Sequence, residues 1–388
     1  MEQKKKQRIV FLDLMRFLAL FMMIQGHTIY AFLNKDILNG ESVGIGVWRF
    51  FRGYTAPFFM VIAGAVFTFL LIQEKPKKGL NPRIKKGLTR VITLFFWGYM
   101  LRFPIQIFTR HLSQAQIDIA LGFDVLQLIG FGLLMIILIF SIIGIQRAYL
   151  MTTYLILFLV VAFASPYIET INFHTSLPKF FSMWLNDYPT AAGKSSSFPI
   201  FPWVSYLLFG GFFGAWLSFQ SKKHNFQKNI DIKLLIIAVL LFAMARIGDW
   251  WETAHYGVSH YWGTLGANEM PIWGQSENLL FDRIAFVIFI GSIFAFVARF
   301  VNKLPKVMGQ MSRNTLWLYV GHLIILYWIR PLFSHRRFDM AGTLICVVIM
   351  FGLMILQTKI IENKQKAGTW KNYFQGIMQG FKKKKVEP

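Results

Sequence analysis

Charge is the first scarcity in this chain. Only 15% of its 388 residues are Asp, Glu, Lys or Arg, against about 25% in soluble globular domains. Acidic residues are the rarer sign, 18 against 41 Lys and Arg. Cysteine is nearly absent. The single Cys346 excludes a disulfide within one chain and any cysteine-rich metal site. A P-loop, a Gly-x-Ser-x-Gly elbow and a His-Glu-x-x-His pair are also missing, which sets aside the chemistries those motifs carry. No metal is expected.

What is abundant is apolar sequence: 55% of residues are hydrophobic and 17% aromatic. Many apolar stretches reach roughly 18 residues, the length that crosses about 30 Å of hydrocarbon. A soluble enzyme, a disordered tail and a secreted disulfide scaffold are thereby excluded. The expectation is an all-α polytopic membrane helix bundle with about ten transmembrane helices. They are placed at 9–33, 54–73, 91–109, 123–144, 149–165, 200–219, 233–248, 281–301, 314–330 and 340–358. The first apolar run is longer than a signal-peptide core of about 7–15 residues and lacks a clear small-residue cleavage site, so it reads as a retained helix. Residues 1–358 form the transmembrane domain, and 359–388, ending in Lys382 to Lys385, form a basic tail.

The formal net charge of +23 would suggest a nucleic-acid partner in a soluble protein. Here the basic residues fall in blocks between apolar runs, so topology explains them and no nucleic-acid partner is expected. Most lie on the amino-terminal side of the spans, which places both termini in the cytoplasm. The basic tail is drawn to anionic membrane lipid.

The first span holds the most informative polar residues. Asp13 and Arg16 are three apart and can pair on a helix. His27 follows Arg16 by eleven residues, about three turns plus ~20°, so the two share a face roughly 16 Å apart. Ionisable residues inside a span are costly and face a bundle interior or a watery cavity. Arg83, Lys86 and Arg90 lie at i, i+3 and i+7, one face of a helix entering the membrane. Such a stripe serves either as anchoring or as a phosphate-binding surface for a nucleotide-containing cofactor. Asp124 and Gln127 open the fourth span, Trp203 the sixth, and Asp282 with Arg283 the eighth, where they can pair with neighbouring helices. His322 lies mid-span in the ninth. Two long outer loops, 166–199 and 249–280, carry many rings together with Asp249 and Glu252. Rings and acids together suit a carbohydrate or another polar acceptor.

Taken together these residues resemble a family. Arg16-x10-His27 in its Asp-Leu-Met-Arg setting is similar to the first-helix motif of acyltransferase-3-type membrane enzymes. Other pieces resemble relatives of heparan-α-glucosaminide N-acetyltransferase, bacterial members included. They are Thr55-Ala-Pro57 through Gly64, Val125-Leu-Gln127, Phe198 through Pro202-Trp203, and Asn314 through Tyr319-Val-Gly-His322. The resemblance implies transfer of an acyl group, commonly acetyl, from cytoplasmic acyl-CoA to a sugar hydroxyl or amine of an extracytoplasmic glycan or glycolipid. It makes His27 catalytic, with Arg16 and Asp13 in the same motif, and relates Arg83 and Arg90 loosely to a basic stretch. Gln127 joins Arg83, Lys86 and Arg90 as a donor-binding candidate. His322, Trp203, Asp249 and Glu252 are the acceptor-side candidates. His27 serves as general base or as acyl-carrying nucleophile, and the sequence does not choose. A bacterial cytoplasmic membrane is the expected location, and homodimerisation is left open. The alternative is a proton-coupled transporter or flippase for a polar or glycan substrate, with Asp13, Arg16, His27 and His322 as a relay.

Overall fold

The computed structural model describes residues 9–74, 81–103, 111, 113–186, 196–221, 226–256, 277–301, 303–329, 333 and 337–366. The helices are α1 (Val10–Phe32), α2 (Lys35–Asn39), α3 (Val43–Gly53), α4 (Thr55–Gln73), α5 (Pro82–Arg102), α6 (Gln114–Leu121), α7 (Val125–Ile143) and α8 (Arg147–Glu169). Then come α9 (Lys179–Leu185), α10 (Ile200–Gln220), α11 (Phe226–Tyr256), α12 (Glu277–Val297), α13 (Lys306–Arg313), α14 (Thr315–Ile329) and α15 (Met340–Lys366). The described residues form no strand, only an isolated bridge between Leu33 and Phe338.

The protein is a polytopic helical membrane bundle. Seven of the described spans are long and apolar enough to cross a bilayer, and the shorter α14 is apolar as well. Each of the ten expected spans falls on a helix, with α5 and α11 completing the set. The third span is displaced from its expected 91–109. α5 begins at Pro82, capped by Asn81, whose side chain accepts from the Arg83 N–H, and ends at Arg102. Phe103 is extended there, the conformation favoured for a residue preceding proline. The two expected long outer loops are partly helical. α8 runs to Glu169, α9 lies within the first, and α11 continues to Tyr256. Helix α15 carries the chain past the expected start of the tail to Lys366, and residues 367–388 lie outside the described part.

Local signals explain several helix ends. Asp124 caps α7 by accepting from the Val125 N–H at 2.7 Å. α7 ends at Gly144 with φ 72°, a conformation glycine adopts without the steric cost of a Cβ. Ser113 and Gln116 form a reciprocal capping box at the start of α6, satisfying two backbone donors that would otherwise lack partners.

The chain forms two compact units. One comprises residues 1–19 and 41–302, the other residues 20–40 and 303–388, so the division falls within α1. In the first unit, α4 and α10 cross at backbone contact. A Cβ at Gly64 would stand 2.5 Å from the Leu207 carbonyl oxygen, and one at Gly210 or Gly214 would strike the carbonyls of Val61 and Ala65. Small residues permit this approach, which supplies dispersion contacts where lipid offers no hydrophobic drive between helices. Helix α10 also packs on α7 and α8, and α11 packs along α12. In the second unit, the later half of α1 meets α15 through Phe21 and Phe351, stacked at 4.9 Å. α14 and α13 both pack on α15.

Candidate active site

His27 on α1 and His322 on α14 meet inside the second unit. His27 Nδ1 lies 2.9 Å from His322 Nε2, with the rings nearly parallel and their centroids 5.2 Å apart. Tyr319 sets its ring edge-on to both. His322 is wholly buried, and its Nδ1 lies 2.9 Å from the Leu318 carbonyl oxygen one turn back.

With both rings neutral, this geometry assigns the protons. A carbonyl oxygen only accepts, so His322 Nδ1 carries the hydrogen. In a neutral imidazole the other nitrogen is then an acceptor, so His322 Nε2 accepts from His27 Nδ1–H. The neutral His27 ring therefore bears its lone pair on Nε2. A backbone carbonyl, acting through one histidine, sets the tautomer of the next, much as a partner group orients any imidazole meant to act as base or nucleophile. The polar neighbours on α1 are satisfied locally: Thr28 Oγ1 donates to Ile24 O at 2.8 Å and Gln25 Nε2 to Met22 O at 3.0 Å.

The remaining candidates belong to the first unit. Asp13 and Arg16 pair, with Arg16 Nη1 3.7 Å from Asp13 Oδ1 and the carboxylate largely buried. The basic stripe divides. Arg83 Nε donates to Glu74 Oε2 at 3.3 Å, which links the start of α5 to the end of α4, whereas Lys86 and Arg90 are exposed. Gln127 on α7 is wholly buried and covers Gly98 of α5. Neither of its amide atoms has a hydrogen-bond partner among the described residues. Trp203 is buried between Phe198 and Tyr206, and the Arg283 guanidinium lies 5.9 Å from its ring centroid. Asp249, expected in an outer loop, stands on α11 and is buried. Glu252 lies on the same helix, and its side chain is outside the described residues.

Sequence reasoning missed three partners. Tyr319 entered only as a letter of a motif. The Leu318 carbonyl was findable, because a histidine inside a helix can reach the carbonyl four residues back. Tyr54 was not: its hydroxyl donates to Asp282 Oδ2 at 2.9 Å across 228 residues of sequence.

A family model described as heparan-alpha-glucosaminide N-acetyltransferase, catalytic, matches residues 8–247, well over half of the chain. The chain belongs to this family. It is an N-acetyltransferase-like membrane enzyme. The matched region takes in Asp13, Arg16, His27, Arg83, Lys86, Arg90, Gln127 and Trp203, and stops before Asp249, Glu252 and His322. His322, the partner of His27, lies beyond the matched residues. No curated protein matches the chain.

Proposed function

We propose that this acetyltransferase-family enzyme takes an acyl group, acetyl foremost, from acyl-CoA on the cytoplasmic side of a bacterial inner membrane. It delivers the group to a hydroxyl or amine of an extracytoplasmic glycan or glycolipid. The observation that carries this reading is the Leu318–His322–His27 chain of hydrogen bonds, which orients His27 within an intramembrane histidine pair. The thioester supplies an acyl group that is already activated. His27 Nε2 takes the proton of the acceptor hydroxyl as the acceptor oxygen bonds to the acyl carbon, and returns that proton to the departing sulfur as the carbon–sulfur bond breaks. His322, bonded on both sides, holds the ring and shares the positive charge that develops on it.

The donor's phosphates need exposed cations. Lys86 and Arg90 meet that need, whereas the Arg83 charge is already balanced by Glu74. Gln127, whose amide has unused hydrogen-bonding capacity, suits the amide-bearing arm of the donor. Asp13 and Arg16 serve as a charge-balanced pair at the other half of α1, and Trp203, Asp249 and Glu252 remain acceptor-side candidates.

The deciding experiment is acetyl-CoA binding and turnover by purified protein in detergent. Wild type is expected to bind acyl-CoA, Lys86→Ala with Arg90→Ala to weaken that binding, and His27→Ala to bind normally without turnover. Full activity in His27→Ala would remove the catalytic assignment. A folded sample that binds no acyl-CoA would favour the relay of a transporter instead.

A further inference from the structure

A cleft of about 340 Å³ opens in the first unit between α11, α12 and the turn from α3 to α4, a volume within the ~300–1,000 Å³ typical of ligand sites. Its walls are apolar, formed by Phe50, Leu235, Val239, Phe242, Phe286 and Phe289 among others. Its one carboxylate is Asp282, which is 3% exposed. Tyr54 donates to Oδ2 at 2.9 Å, and Arg246 Nη2 stands 3.5 Å from Oδ1, with its guanidinium over the Phe242 ring at 5.2 Å.

The cleft is ordered along its length. Asp282 and Tyr54 lie at one end, and Arg246 stands just beyond it, one turn past Phe242 on α11. From Phe242 back to Leu235 is seven residues of helix, about 10 Å at 1.5 Å per residue, and every lining side chain on that stretch of α11 is apolar. The mouth is apolar as well: Leu235, Val239, Phe242 and Phe289 are exposed, as are Ile232, Ile236 and Leu240 beside them on α11. On a helix of a membrane bundle such a face meets hydrocarbon. The cleft is therefore reached from the bilayer, and its contents must be apolar over most of their length and polar at one end.

We infer that this cleft binds a phospholipid with a primary amine in its headgroup. One acyl chain lies along Phe242, Val239, Leu235 and Phe289. The ammonium donates to the Asp282 carboxylate and the phosphate accepts from Arg246. Tyr54 and Arg246 take one site on each Asp282 oxygen, and a carboxylate offers about four lone-pair sites, so the ammonium joins these partners without displacing them. A trimethylammonium head carries no N–H to donate and forfeits the Asp282 contact.

The test is lipid retention read by native mass spectrometry. Delipidated full-length protein is incubated with phosphatidylethanolamine or phosphatidylcholine of identical chains. Wild type is expected to retain the ethanolamine lipid about tenfold more than the choline lipid, the scale of one hydrogen bond to a charged group. Asp282→Asn is expected to erase that preference. Because this change also strips a partner from Tyr54 and Arg246, Val239→Trp provides a second arm. It fills the cleft from an exposed position and is expected to abolish retention of both lipids in a protein of unchanged melting temperature. Equal retention of the two lipids by wild type, undiminished retention in Val239→Trp, or a lipid-free dimer that Val239→Trp splits would each overturn the inference.

Discussion

At the scale of single residues, the bond between His27 Nδ1 and His322 Nε2 makes the two rings separable by experiment. His322→Gln keeps an acceptor oxygen near the lost Nε2, whereas His322→Phe keeps only the ring shape. If His322 acts by holding the His27 tautomer, His322→Phe should lower kcat by about 10²–10⁴, the usual worth of a positioned base, with KM little changed. His322→Gln should recover a measurable part of that loss, and the pH–rate profile should move in both variants. A purely structural role for His322 would leave the profile in place. Gln127 offers a second test, since its buried amide lacks a hydrogen-bond partner among the described residues. Burying such a group costs about 1–3 kcal/mol by mutational measure. Gln127→Leu should therefore raise the melting temperature of the ligand-free protein while weakening acyl-CoA binding, a combination that no loss of packing would produce.

Among elements, the crossing of α4 and α10 carries the clearest steric demand. The atom that a Cβ at Gly64 would meet belongs to the backbone, the Leu207 carbonyl at 2.5 Å, and backbone cannot swing aside. Gly64→Ala should destabilise the protein by about 1–3 kcal/mol, as overpacking does, visible as a lower melting temperature in detergent. Gly352 on α15 has nothing within 4 Å of where its Cβ would be. There the same change should be neutral or stabilising by about 0.5–1 kcal/mol through backbone entropy. The turn from α4 to α5 rests on Asn81, which accepts from the Arg83 N–H and donates to the carbonyls of Leu71 and Glu74. Asn81→Ala should cost about 0.5–2 kcal/mol, the range for a lost helix cap.

For the whole molecule, the distribution of Lys and Arg implies cytoplasmic termini, and the single native cysteine makes this measurable. In a Cys346→Ala background, Lys85→Cys should react with an impermeant thiol reagent only from the cytoplasmic side, and Thr175→Cys only from the opposite side. Both positions are exposed. Labelling of both from the same side would overturn the expected topology, and with it the direction proposed for acyl transfer.

The helical kind of the fold and the approximate positions of its spans were legible in the sequence because a span is a local property. An apolar run long enough to cross hydrocarbon must close its own backbone hydrogen bonds there, so it becomes a helix whatever its neighbours do. Pairing within one helix was legible for the same reason, as Asp13 with Arg16 shows. What the spans touch was not legible. Helices such as α4, α12 and α14 are apolar around most of their circumference, so the sequence does not mark which face turns inward. Only packing decided that His27 meets His322 across 295 residues, that Glu74 takes the charge of Arg83, and that Tyr54 and Arg246 converge on Asp282. A costly polar group inside a bundle announces that it needs a partner. Which partner it finds depends on the rotation of each helix about its axis, and that is set by the shapes of the side chains between them.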